Sequence, residues 1–231
     1  VKFVVEELAT WIKPEQRQAL FENWYDSSPI TLGWVTAMQR RRMTPFVKMV
    51  LHSAYQVTNE KPYENMPVVF SSRHGDFHKT ANLLGDLAEQ LPLSPTGFGL
   101  SVHNAAIGMY SIISGNTQPM IAIAAGKDSF ACALIEAYIK LVEFKQTHIL
   151  VVHTDESLPD PYTTFADEKQ ITHSIALVMR LATENEAHFS LTKQAANNCG
   201  HSTTPLSLEC AKAMFNKQSA SANGWLLSHY V

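Results

Sequence analysis

Three side chains able to do covalent chemistry fall in one short stretch: Lys127, Ser129 and Cys132. They sit where an apolar strand, Pro119–Ala125, gives way to a helix that Asp128 is placed to cap. A desolvated amine can form a Schiff base with a carbonyl, and a hydroxyl or thiol can accept an acyl group. One reading is therefore a small stand-alone acyltransferase or decarboxylase using Cys132, Ser129 or Lys127. Each residue also has a plainer role. Ser129 lacks the Gly-x-Ser-x-Gly elbow of serine hydrolases. Cys132 lies on the apolar helix face, where a small buried residue packs well. Lys127 can serve as an ion-pair partner.

Other constellations carry less. His74 and His78 have the i, i+4 spacing of metal ligands if the segment is helical, but Asp76, the only further ligand nearby, points elsewhere on such a helix. No metal is expected. His103-Asn104 reads as a structural hydrogen-bonding pair at a helix start. Gly97-Phe98-Gly99 lacks the third glycine of a dinucleotide loop and follows no convincing strand. No cofactor is expected.

The elements that position these residues alternate. Lys2–Val5 opens as a short strand, and a helical pattern runs from Ala37 to Val57 with Arg40, Arg41 and Arg42 near its start. Pro67–Ser72 is a buried-strand type, followed by a helix over Lys79–Gln90 with Leu83, Leu84 and Leu87 on one face. Val102–Ile113 reads as a helix rich in small residues, Gly115-Asn116 turns, and Pro119–Ala125 is a strand. The next helix runs to about Phe144, its stripe being Ala131, Leu134, Ile135, Tyr138, Leu141 and Val142. His148–Val152, Ser174–Met179 and His188–Leu191 are further strands, and Leu206–Phe215 is helical. The pattern predicts an α/β fold with a mixed sheet and helices packed on its faces.

The 231-residue chain is 45% hydrophobic and 17% charged, with a net charge of -3, which excludes a disordered chain and gives no electrostatic case for nucleic acid. No apolar run reaches the length of a transmembrane segment, and Val1–Trp11 carries Glu6 and Glu7 and no cleavage pattern, so no signal peptide is expected. Cys132, Cys199 and Cys210 are odd in number and form no CxxC pair, which suits a reducing cytoplasm.

The segment Ser94-Pro95-Thr96-Gly97-Phe98-Gly99-Leu100-Ser101-Val102-His103-Asn104-Ala105-Ala106-Ile107-Gly108 resembles the stretch before the nucleophile strand of beta-ketoacyl synthases. The order that follows is similar too: the Asn104–Ser114 helix, Gly115, the Pro119–Ala125 strand and the Asp128–Leu141 helix. Supporting likenesses are Arg40–Phe46, His148–Val152 with His153-Thr154-Asp155-Glu156 after it, and Ser174–Met179. The resemblance is clearest over residues 40–180. It implies a thiolase-like half-fold over 1–231 as a single domain, built on a mixed five-stranded-type sheet.

Two departures shape the functional expectation. The family's nucleophilic Cys position is occupied by Lys127, and the family's His motifs have no counterpart in this chain, which spans only the first half of a duplicated fold. An amine meeting an acyl thioester forms an amide, a dead end. The resemblance thus implies a non-catalytic subunit of the chain-length-factor type, in which Gln is the commoner replacement. Its partner would be a full-length catalytic beta-ketoacyl synthase, with acyl carrier protein involved indirectly. The setting implied is type II polyketide biosynthesis, of the aryl polyene kind, or a fatty-acid-like pathway. In the family the strand matching Pro119–Ala125 runs beside the same strand of the partner, so Asn104, Gly108, Met109, Ile112, Pro119, Ile121 and Ile123 are the expected tunnel and interface residues.

Overall fold

The computed structural model describes residues 1–16, 23–59, 65–194 and 202–231. Its strands are β1 (Lys2–Ile12), β2 (Val68–Ser71), β3 (Met120–Ile123), β4 (Ile149–Asp155), β5 (His173–Leu181), β6 (His188–Lys193), β7 (Ala220–Ala222) and β8 (Trp225–Tyr230). The helices are α1 (Ala37–Arg42), α2 (Pro45–Thr58), α3 (Phe77–Ala88), α4 (Pro95–Gly99), α5 (Ala105–Ser114), α6 (Ser129–Glu143) and α7 (Leu206–Asn216). One sheet has the order β3-β2-β4-β5-β1-β6-β8-β7. The expected mixed five-strand arrangement is its β3-to-β1 portion, and β6, β8 and β7 extend it to eight.

Strands β2, β4 and β5 are buried on both faces, which is why they read as unbroken apolar runs. The connection from β2 to β3 passes through α5, packed on one face beside α2. The return from β3 to β4 passes through α6, packed on the other face beside α7. The crossovers run in opposite directions over opposite faces, so both keep the same hand, as sheet twist demands. β3 pairs in parallel with β2 on one side and ends the sheet on the other.

Several elements differ from expectation. The strand opening at Lys2 runs on to Ile12 because β5 pairs along it, around an irregularity between Val5 and Glu7. The single helix expected over Ala37–Val57 is two. Thr44 is extended and its hydroxyl accepts from Val47 N, with Pro45 in the first turn, so a new helix starts there. The leucine stripe of α3 is not buried: Leu84 and Leu87 are 45% and 58% exposed. Hairpin β7–β8 turns at Asn223-Gly224, both at positive φ, an Asn-Gly signal the strand pattern alone did not bring out. Cys199 lies outside the described residues; Cys132 and Cys210 are unpaired. Among the described residues no helix is long and apolar enough to cross a membrane.

The α5–β3 turn is fixed by two residues. Gly115 takes φ +73°, the left-handed helix end that glycine adopts without Cβ strain. Asn116, 1% exposed, donates from Nδ2 to Met66 O at 2.9 Å and accepts on Oδ1 from Gln118 N at 2.9 Å. Replacing Asn116 by Ala removes both bonds and leaves Met66 O buried. Unfolding in urea is expected to show a loss of about 2 kcal/mol; an unchanged midpoint would mean that the turn holds without it.

Candidate functional site

The turn from β3 into α6 is where the sequence placed its chemistry. Gly126 has φ +59°, allowing the chain to reverse sharply before Lys127 and Asp128. Ser129 closes the turn: its Oγ accepts from Ala125 N at 2.9 Å and donates to Gly126 O at 2.7 Å. It is 2% exposed, and its hydroxyl hydrogen is engaged in the turn. Asp128 does not cap α6 with its side chain, as was expected. Its carboxylate is drawn away to strands β6 and β8, accepting from Trp225 Nε1 at 2.9 Å and Lys193 Nζ at 3.0 Å. The Lys193 ammonium also sits 4.3 Å over the Trp225 ring. Cys132 is half-buried rather than fully buried, and burial together with Asp128 pushes its thiol up, away from the reactive thiolate.

Lys127 is bound into an ion-pair network. Its Nζ donates to Asp167 O at 2.9 Å and lies 3.2 Å from Asp167 Oδ2. The same carboxylate takes the fork of Arg73, at 2.8 and 3.1 Å, and Arg73 reaches Glu168 Oε1 at 3.0 Å. Arg73 first, and Lys127 after it, hold the Asp167 carboxyl down at about 2. The network ties together the segment after β2, the turn after β3 and the β4–β5 connection. Asp167, remote in sequence, and not the adjacent Asp128, balances the charge of Lys127.

Behind this turn lies a buried polar seam that spacing did not disclose as a site. His153 Nδ1 is 2.9 Å from Ser71 Oγ and its Nε2 is 3.1 Å from Asp155 Oδ2. Asp155 also accepts from Ser72 Oγ and Arg73 N, and His173 Nε2 meets Ser207 Oγ at 2.7 Å. The order Ser71–His153–Asp155 has the membership of a hydrolytic triad, but Ser71 is 0% exposed, so no substrate reaches it. Its role is to satisfy polar groups inside the sheet. Burial raises Asp155, yet His153, His173 and Ser72 more than offset it and leave the carboxyl below its usual range. The sequence signal was His153 and Asp155 at i, i+2, on one face of β4.

The expected interface residues separate. Asn104, Gly108 and Ile121 line a groove of about 590 Å³ between α5 and β3, together with Ile107, Ser111 and Met120. Met109 turns inward against the α2 side of the core, and Ile123 packs partly on the other face. Pro119 O accepts from Val68 N, while Ile112 is 74% exposed. Leu84, Leu87, Leu91, Phe98 and Val102 are also exposed. His103 is structural, its Nε2 3.0 Å from Ser72 O. His74 precedes α3, whereas His78 lies within it and bonds Ser157 O, so the two do not share a helix face. Among the described residues no cluster of three metal-ligating side chains forms. Gly97-Phe98-Gly99 closes α4, capped by Ser94.

A family model described as "Beta-ketoacyl synthase, N-terminal domain" matches residues 11–230. Among solved structures, a chain of the "Ketosynthase (ApeO) in Complex with its Chain Length Factor (ApeC) from Xenorhabdus doucetiae" aligns with a TM-score of 0.80 and 18% identity, covering 100% of both chains. "The ishigamide ketosynthase/chain length factor" aligns at 0.55 and 15% identity, over 69% of this chain and 51% of that one. A beta-ketoacyl synthase from Burkholderia phymatum STM815 aligns at 0.55 and 12% identity, over 81% and 58%. This chain thus spans little more than half the length of the last two. At such identities the likeness is one of fold. Sequence comparison with curated proteins gives no match.

The buried seam gives a pH signature. Burial, then the charge of His153, pushes His173 from 6.5 down to about 4. The unfolded chain binds more protons between those values, so this contribution to stability is complete above pH 6.5 and lost as pH falls toward 4. Its size is roughly 3 kcal/mol. In urea unfolding, the advantage of the native chain over His173→Gln is expected to shrink by most of that amount from pH 7 to 4.5. A constant advantage would mean that His173 titrates alike in both states.

Proposed function

The chain belongs to the beta-ketoacyl synthase family, and from that premise we propose that it is a non-catalytic subunit of the chain-length-factor type. It pairs with a full-length, Cys-bearing ketosynthase and shapes the pocket for the growing acyl or polyene chain. The observation that carries this reading is the outer edge of β3, unpaired among the described strands, with exposed Ile121 on it and the α5–β3 groove beside it. An apolar strand edge invites pairing with another chain. Obligate partners of this kind bury on the order of 2,000 Å² or more. The groove between α5 and β3 opens on the same side and gives an acyl chain an apolar wall.

The ion-paired Lys127 supports the absence of condensing activity. Thioester exchange needs a thiolate at the helix start, and an amine there would trap an acyl group as an amide. The closest thiol, Cys132, is held protonated, and Ser129 is locked in the turn. Chemistry would then belong to the partner, and acyl carrier protein would engage this subunit only through the pair. The setting is type II polyketide synthesis, of the aryl polyene kind, or a related fatty-acid-like pathway in the cytoplasm.

Co-expression with the neighbouring ketosynthase, followed by affinity capture and light scattering, is expected to give a discrete one-to-one pair. Ile121→Asp should abolish it. A self-contained protein that ignores the ketosynthase would remove the partner argument. Incubation of the isolated chain with acyl-pantetheine thioesters should leave its intact mass unchanged; a stable adduct lost on replacing Cys132 or Ser129 would instead make it an enzyme.

Gly108 offers a direct test of the groove, because a Cβ there meets no atom within 4 Å. Gly108→Leu in the reconstituted pair is expected to shorten the product. Unchanged product lengths would sink the tunnel-wall role.

A further inference from the structure

A second concavity, independent of the α5–β3 groove, opens between the first turns of α2 and α3. It holds about 630 Å³, within the range of small-molecule sites. The end of β1 supplies Trp11 and Lys13, α2 supplies Lys48 and Met49, α3 supplies Asp76 and Lys79, and the segment after β4 supplies Glu156 and Leu158. Trp11, Met49 and Leu158 are buried and give the cleft an apolar wall. The subunit role proposed above uses none of these residues.

We propose that this cleft binds a small organic anion that also carries a hydrogen-bond donor and an apolar body. The anion is called for by charge. Lys13, Lys48 and Lys79 line the cleft; Lys13 is near enough to Glu156 to act on its charge, and among the described residues no carboxylate lies within 4 Å of any of the three. The N-termini of α2 and α3, both capped there, add their partial positive charge. Against these stand only two carboxylates, and burial with the nearby Asp76 charge lifts Glu156 to about 7, so it is partly neutral at physiological pH.

The donor is called for by Asp76. This residue is 7% exposed. Its Oδ1 accepts from Lys79 N at 3.1 Å, capping α3, while Oδ2 has no hydrogen-bond partner. A buried carboxylate oxygen left unpaired is costly, and a ligand N–H or O–H brought into the cleft would satisfy it. Charge excess, apolar wall and unpaired acceptor occur together at one cavity, each supplied by different elements.

N-acetylphenylalanine carries all three features and serves as the probe. Its methyl ester lacks the charge, and its N-methyl derivative lacks the donor. Titration calorimetry on the full chain is expected to show saturable binding of the acid, at least ten-fold weaker for either derivative. Lys48→Met should bring the acid down to the level of the ester. Asp76→Asn, which still caps α3, should erase the preference for the N–H compound over its N-methyl form. Absence of saturable binding by the acid, equal binding of the three probes, or indifference to Lys48→Met would each overturn the proposal. Should Asp76→Asn fail to fold, the probe series and Lys48→Met decide the matter alone.

Discussion

Strand β3 is hydrogen-bonded to β2 along one side, and along the other its N–H and C=O groups face outward without a described strand to receive them. Because both crossovers meet at this strand, α5 must lie on one face of the edge and α6 on the other. The turn that leaves β3 therefore delivers Lys127 to the start of α6, and the gap between β3 and α5 becomes a groove open to the side. Apolar residues of α3, α4 and α5 are exposed as well, among them Leu87, Phe98 and Ile112. Edge and groove share Ile121 and Met120, and an unpaired apolar edge suits another polypeptide better than water.

Electrostatics inside the turn point the same way. Lys127, in the turn into α6, is engaged with Asp167, which is itself clasped by Arg73. The network works as a clasp between three loops. Asp128, next in the chain, is committed in the opposite direction to Lys193 and Trp225, fastening α6 to β6 and β8. Successive charged residues thus anchor opposite flanks of one helix start. Beneath them the seam of Ser71, His153, Asp155 and His173 joins β2, β4 and β5 through side chains whose exposure is near zero for all but Asp155. Chemical membership of a triad is present there without access, and access is what separates a reactive group from a structural one.

Helix α3 illustrates how pattern and burial part company. Its leucines at helical spacing have the form of a buried stripe, yet no residue of α3 is buried. Amphipathic spacing records that a face is to be covered, and it does not record by what. Among the described residues nothing covers it, and the proposed partner would supply the cover.

The sequence by itself determined the strands buried on both faces, β2, β4 and β5, since a run of apolar residues has few other solutions. It determined α5 and α6 through small-residue and stripe patterns, their order around β3, and the Lys at the turn between them. The Thr44-Pro45 break and the Asn223-Gly224 hairpin were also written locally, in residues whose backbone preferences are strong. Only the tertiary structure decided that Lys127 meets Asp167, that Asp128 turns to Trp225, that His173 is held neutral, and which of the seven expected interface residues share the groove. Those outcomes depend on segments remote in sequence being brought into register by the crossovers. Periodicity specifies which face a residue occupies, whereas its partner across space follows from how the sheet is threaded.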